Sequence, residues 1–123
     1  MEKKLWHDSY APGVKKNLDY EKLTISEALT RTAERFPGHT ALNYMGKKMT
    51  FRQLDAMINQ CARALMDLDV RPGDKVAVCL PNIPQVIIAN IAIMRIGAVT
   101  VQNNPLYTER ELAYKLNDSD SEH

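Results

Sequence analysis

Between Val70 and Asp118 the chain runs through a short apolar stretch, a long apolar helix pattern, a second short apolar stretch and a second helix pattern, and this order constrains the fold more than any other feature. Strands joined by a helix-length connection pair in parallel, because a hairpin needs only a short turn. Parallel pairs normally sit inside a larger sheet covered on both faces. Only five residues follow Asp118, so the chain reads as the opening piece of a larger α/β protein.

The unit is well punctuated. Arg71-Pro72-Gly73-Asp74 is a turn, and Val76 to Leu80 suits a strand covered on both faces. Pro81 stops it, Asn82 is placed to cap the next helix, and Pro84 falls in the first turn, where a missing N–H costs nothing. Val86 to Ile96 leaves almost no polar face, so this helix should be buried on most sides. Gly97 ends it, Ala98 to Gln102 supplies the second strand, and the connection should be right-handed. Thr108 and Glu111 form a capping box for a helix through about Leu116, with Leu112, Ala113 and Leu116 facing inward.

Upstream, residues 1–22 carry Trp6, Tyr10, Pro12, Gly13 and Val14 without regular period and read as an arm laid across a surface by its aromatics. Thr24 and Glu27 cap a helix carrying Ile25, Ala28, Leu29, Thr32, Ala33 and Phe36 at helical spacing, ended by Pro37-Gly38. Ala41–Met45 and Lys48–Phe51 flank Gly46-Lys47 as a tight hairpin. Thr50 and Gln53 cap the clearest helix, with Leu54, Ile58, Cys61, Ala62 and Leu65 on the apolar stripe and Met57 and Met66 as core filler. Its other face, with Arg52, Asp55, Gln60, Arg63 and Asp67, should be solvated. The fold class is α/β: a β-hairpin plus a parallel strand-helix-strand unit with packed helices.

Several function classes are excluded. Sixteen basic against fifteen acidic residues, with no block of like charge, leave no surface built for nucleic acid. The lysines near the N-terminus have no apolar run behind them, so no signal peptide is expected. The run from Val86 to Ala98 is interrupted by Asn90 and Arg95 and is too short for a transmembrane segment. Cys61 and Cys79 lie in apolar stretches and read as buried thiols of a reducing, cytoplasmic compartment. His7, His39 and His123 have no partners at triad spacing, and no His/Cys cluster marks a metal site. The glycines at 13, 38, 46, 73 and 97 are too dispersed for a phosphate-cradling loop. The acidic end with Asp118, Asp120 and Glu122 reads as a solvated tail. No catalytic, cofactor-binding or metal residue is assigned. Position alone singles out a substrate-cleft rim beyond the strand ends, at Pro81, Asn82, Asn103, Asn104 and Pro105.

The blocks Gly73-Asp74-Lys75-Val76-Ala77, Pro81-Asn82, Arg95-Ile96-Gly97-Ala98-Val99 and Asn104-Pro105-Leu106-Tyr107-Thr108, the last running into Glu111-Leu112 and Leu116-Asn117-Asp118-Ser119, resemble the N-terminal part of the AMP-binding, acyl-adenylate-forming superfamily. With the Trp6, Tyr10, Pro12-Gly13-Val14 arm, they most resemble long-chain fatty acid–CoA ligases (acyl-CoA synthetases), ahead of aryl-CoA ligases. The resemblance implies residues 1–22 as arm, 23–117 as a partial AMP-binding domain and 118–123 as the acidic end of a truncated chain. For the full-length enzyme it implies fatty acid, ATP, magnesium and CoA: the carboxylate attacks the α-phosphate, pyrophosphate leaves, and the CoA thiol displaces AMP. The family's phosphate loop, adenine motif, ribose-binding Asp and catalytic Lys have no counterpart here, so the fragment alone is expected to bind no cofactor and to be inactive. A fragment of another adenylate-forming enzyme and a stand-alone, non-catalytic interaction module are the alternatives. An unpaired strand edge and a partly uncovered Pro84–Ile96 helix lead to the expectation that the fragment self-associates as a dimer.

Overall fold

Three of the four α-helices among the described residues start where a threonine side chain can close a capping box. A computed structural model describes residues 4–123. Its elements are a 3₁₀ turn at Leu5–Ser9, α1 (Ile25–Arg35), β1 (Thr40–Tyr44), β2 (Lys47–Thr50), α2 (Phe51–Asp67), β3 (Lys75–Val78), α3 (Pro84–Arg95), β4 (Val99–Gln102) and α4 (Glu109–Asp118). Thr24, Thr50 and Thr108 accept from the backbone N–H groups of Glu27, Gln53 and Glu111, whose side chains return the bond to each cap's own N–H. Helix α3 has no side-chain cap. Ile83, not Asn82, is its N-cap, and Pro84 begins it, so its start rests on proline's fixed φ.

Helix ends are equally regular. After α2, α3 and α4 the chain passes through a residue of positive φ: Asp69 (68°), Gly97 (79°) and Asp120 (50°). Each time the next residue's N–H reaches back to the last turn: Val70 to Leu65, Ala98 to Ile93 and Ser121 to Leu116, all at 3.1 Å. This is the Schellman ending. At Gly97 the requirement is also steric, since a Cβ there would sit 3.3 Å from Pro72 Cβ.

The two strand pairs are separate. β1 and β2 pair antiparallel with Tyr44 opposite Lys47, so the turn is Met45-Gly46 rather than Gly46-Lys47. Both turn residues have positive φ, 50° and 82°, which the favoured two-residue hairpin turn demands. β3 and β4 pair in parallel with Val76 opposite Thr100, as the crossover requires. Gly73 N–H donates to Gly97 C=O at 2.9 Å and Val99 N–H to Asp74 C=O at 2.8 Å, pinning the two strands together at their amino ends.

Helix α3 lies between two apolar clusters. Ile88 and Ala92 meet Leu54, Ile58 and Ala62 of α2. Ile93 meets Val70, Val76, Val78 and Ala98 on the sheet side. Ile58 and Ile93 are fully enclosed, each contributing about 1.5–3 kcal/mol by burial.

Several expectations are corrected. Met57 and Met66 are exposed, because α2 buries the stripe 54, 58, 62 and both methionines fall off it. Asp55 is not solvated but ion-paired with Arg95. Cys61 is only half-buried and Cys79 is exposed. β3 covers Val76 and Val78 but leaves Lys75 and Ala77 half-exposed, so only one of its faces is covered. Ile87 on α3 is exposed. Ala113 is exposed and α4 buries no residue. Among the described residues of the expected arm the buried one is His7, flanked by the rings of Trp6 and Tyr10, while those two stay largely exposed. The acidic chain end is not a solvated tail. Ala77 N–H donates to His123 C=O at 2.8 Å, and Lys75 C=O accepts from Glu122 N–H at 3.1 Å and His123 N–H at 3.4 Å, so the dimer expected from an open β3 edge has no support.

Candidate functional site

Because β3 and β4 are parallel, the loops leaving them emerge on one side of the sheet. Asn103 is the last residue the ladder holds, its N–H donating to Val78 C=O at 2.9 Å. Its side chain turns back, Nδ2 donating to Val101 C=O at 2.9 Å. The residue is only 4% exposed, yet its Oδ1 has no hydrogen-bond partner. An unmet buried acceptor costs about 1–3 kcal/mol, so such groups are rare without a reason.

Asn104 next to it is exposed and shapes the loop. Its Oδ1 accepts from Leu106 N–H at 3.0 Å, and its C=O accepts from Tyr107 N–H at 3.0 Å. Cys79 Sγ lies 3.9 Å from the same carbonyl, so the loop after β3 touches the loop after β4. Pro81 and Pro105 are exposed on these loops. Asn82 goes elsewhere. It borders a cleft of about 300 Å³ with Leu42, Tyr44, Pro84 and Ile87, between the hairpin and α3. The structure thus brings Asn103, Asn104 and the end of β3 together and places Asn82 in a separate apolar cleft.

Two polar residues that interrupt the apolar run of α3 do structural work that the sequence reading did not assign. Arg95 Nη2 donates to Asp55 Oδ1 at 2.8 Å and Thr30 Oγ1 at 3.0 Å, Nη1 to Asn59 Oδ1 at 2.6 Å, and Nε to Ser26 Oγ at 2.8 Å. One guanidinium therefore ties α1, α2 and α3, with the Arg95 and Asp55 side chains 16% and 20% exposed. Its planar fork is what allows donors in several directions. Asn90 Oδ1 accepts from Thr100 Oγ1 at 2.9 Å and from Gln102 Nε2, fastening α3 to β4. The legible signal was that Asn90 and Arg95 each stand isolated among apolar residues of α3, and a polar group so placed has to find a partner. Open clefts of about 820 and 750 Å³ both include Arg95 in their walls, but four of its five N–H donors are already engaged.

Among the described residues, one trio could present metal-ligating atoms: Asp74, Glu122 and His123, with those atoms within 4.8 Å of one another. Asp74 Oδ2 accepts from Arg71 N–H at 2.7 Å and lies 3.4 Å from His123 Nε2, so the trio reads as a clasp between the turn before β3 and the chain end. Burial pushes the Cys61 thiol upward in pKa. No helix among the described residues is long and apolar enough to cross a membrane.

The AMP-binding enzyme family model matches residues 29–123. A long-chain-fatty-acid–CoA ligase of Bacillus subtilis is 39% identical over 116 residues, covering 94% of this chain and 21% of the ligase. The chain thus spans about a fifth of the length of such relatives. Among solved structures, an artificially fused adenylation–PCP di-domain from Klebsiella oxytoca, NpsA-ThdA, aligns with a TM-score of 0.80 at 28% identity, covering 83% of this chain and 19% of that one. The anthranilate CoA ligase AuaEII, in complex with anthranoyl-AMP, aligns with a TM-score of 0.73 at 30% identity over 78% of this chain and 19% of its own.

Proposed function

The chain belongs to the AMP-binding enzyme family, and on that premise we propose that it is the N-terminal part of a long-chain fatty acid–CoA ligase, serving as framework and cleft rim in a cytoplasmic enzyme. The observation that carries this is the 39% identity to the Bacillus subtilis ligase, sustained over 94% of the chain. In that reading residues 1–22 are an arm and 23–117 this chain's share of the AMP-binding domain.

The residues here do not fit a magnesium–triphosphate group. The five glycines stand at positions 13, 38, 46, 73 and 97, far apart in sequence, so no glycine-rich loop among the described residues offers a phosphate cradle. In this reading the 1–123 chain is inactive alone, and ATP, magnesium, CoA and fatty acid are handled by the longer protein. What this part contributes is the Asn103–Asn104 loop. The unmet Asn103 Oδ1 is placed beyond the strand ends, where ligands of open parallel sheets collect, and takes a donor there in the whole enzyme.

The test is made on the full-length protein supplied with Mg-ATP, CoA and either a long-chain fatty acid or an aryl acid. Formation of fatty acyl-CoA and AMP in equal amounts is expected. Exclusive turnover of the aryl acid would replace this reading with the second one, an aryl-CoA ligase, which the likeness to AuaEII favours. Asn103→Ala and Asn104→Ala should slow adenylate formation; unchanged rates for both steps would remove the rim assignment.

A further inference from the structure

β4 turns its polar residues toward α3. In the parallel register Thr100 lies opposite Val76 and Gln102 opposite Val78, and both valines share a core cluster with Ile93 of α3. Side chains alternate along a strand, so Thr100 and Gln102 face the helix while Val99 and Val101 take the other face. Burial alone would choose the reverse. The reason lies across the interface, where Asn90 is the one polar residue of α3 between Gln85 and Arg95. Its Oδ1 accepts from Thr100 Oγ1 at 2.9 Å and from Gln102 Nε2, and Gln102 Nε2 also donates to Thr100 Oγ1 at 3.0 Å. Both acceptor positions of that oxygen are taken, and the three side chains close a triangle between helix and strand.

The triangle adjoins the candidate rim. Gln102 is the last residue of β4, and Asn103 follows at once, its N–H closing the ladder on Val78 C=O and its Nδ2 bonding back to Val101 C=O, both at 2.9 Å. Those two bonds fasten Asn103 to the sheet, so the aim of its unmet Oδ1 follows the position of the strand's carboxyl end. The amino end is pinned by backbone bonds through Gly73, Gly97, Asp74 and Val99. At the carboxyl end α3 begins without a side-chain cap, and Asn90 supplies the side-chain bonds that tie this helix to β4.

We propose that Asn90 is a positioning residue for adenylate formation: by accepting from Thr100 and Gln102 it holds the carboxyl end of β4 on α3 and thereby sets where Asn103 Oδ1 is presented. This rests on the reading of the Asn103–Asn104 loop as a rim of the ligase's cleft. Asn90 itself touches no substrate, and its effect passes through Asn103.

Full-length protein carrying Asn90→Leu or Asn90→Asp tests this. Leucine suits an apolar helix but leaves Thr100 and Gln102 without their acceptor, whereas aspartate keeps the oxygen. With Mg-ATP and the acid that the protein turns over, Asn90→Leu should lower kcat for adenylate formation about tenfold with little change in KM for ATP, and Asn90→Asp should lose no more than about threefold. In an Asn103→Ala background Asn90→Leu should cost less than about twofold, because the group it positions is gone. Full additivity of the two substitutions, or an Asn90→Leu rate equal to the parent's, overturns the proposal. Amide hydrogen exchange reads the same fastening without turnover: Asn90→Leu should speed exchange at Asn103 N–H by about tenfold and leave Val99 N–H, at the pinned end, unchanged. Equal acceleration at both makes Asn90 a general contributor to stability and also overturns it. A normal rate for Asn103→Ala would sink the rim reading and the role of Asn90 with it, whereas a slow Asn103→Ala beside unchanged exchange at Asn103 in Asn90→Leu would sink the role of Asn90 alone.

Discussion

Helix α2 and helix α4 start from the same device, a threonine cap with a returned side-chain bond three residues on, and both carry an amphipathic pattern. α2 buries Leu54, Ile58 and Ala62; α4 buries nothing, and Tyr114 and the neighbouring Leu106 are strongly exposed. The difference does not lie in local signal. α2 has α1, α3 and the hairpin to pack on, whereas α4 makes no comparable contact with any other described element. Capping and period fix where a helix starts and which side is apolar, while burial needs a partner surface.

The comparison breaks most directly at the core. Ile58→Ala should cost about 3–4 kcal/mol in urea denaturation, as for a fully enclosed side chain that leaves a cavity. Leu116→Ala on α4, which is only half-buried, should cost under about 1 kcal/mol. Equal losses would mean that α4 is as well packed as α2.

Next comes the latch that finishes the α2 side. Arg95→Met strands the half-buried Asp55 carboxylate and should cost about 2–3 kcal/mol, somewhat below a fully buried pair. A double-mutant cycle with Asp55→Asn should show coupling of at least about 1 kcal/mol. Coupling near zero would reduce the network to surface decoration.

The two thiols sample the two regions. Cys79, exposed at the end of β3, should react with a disulfide reagent at least about tenfold faster than Cys61 on α2. Cys61 is slowed twice, by half-burial and by a pKa that desolvation raises, which leaves less thiolate. Equal rates would show that the α2 side opens as readily as the sheet end.

The smallest effect is on the acid limb of stability. Glu27 and Glu111 both have pKa values lowered by hydrogen bonds from the backbone N–H and then the hydroxyl of Thr24 and Thr108. A carboxylate with a folded-state pKa below its unfolded value stabilises above the unfolded value, near 4.5, and that stabilisation disappears as pH falls through the folded value. Glu27→Gln and Glu111→Gln should each flatten stability against pH between 5 and the folded pKa, roughly, with little change in the slope near neutrality. Only Glu111→Gln should also loosen α4 in amide exchange without affecting α1.

These contrasts mark where the chain was legible. The α/β class, the four helices and the parallel pair could be read from capping boxes, proline and glycine punctuation and apolar period, because each is a local property. Met57, Met66 and Ala113 misled because an apolar residue at helical spacing is buried only if something lies opposite it. Asp55 misled in the other direction: it reads as a surface acid until Arg95, 40 residues away in sequence, is folded against it. Of the expected rim, Asn103 and Asn104 could be placed from strand ends alone, whereas the position of Asn82 depended on where the hairpin packs. The pairing of Glu122 and His123 with β3 was hidden by their charge, since a backbone ladder makes no demand on side-chain polarity.

The pinning of β3 to β4 through Gly73, Gly97, Asp74 and Val99 bears on how a chain of this kind tolerates length change. With the amino ends fastened, and with Pro72 packed where a Cβ on Gly97 would intrude, a residue inserted into or deleted from either strand finds no slack behind it. The whole shift, about 3.3 Å per residue with reversal of every side chain's face, is delivered to the opposite end. Length variation is thus forbidden within the strands and free in the loops beyond Cys79 and Asn103, so one end of the sheet acts as a datum from which the other can be re-tailored.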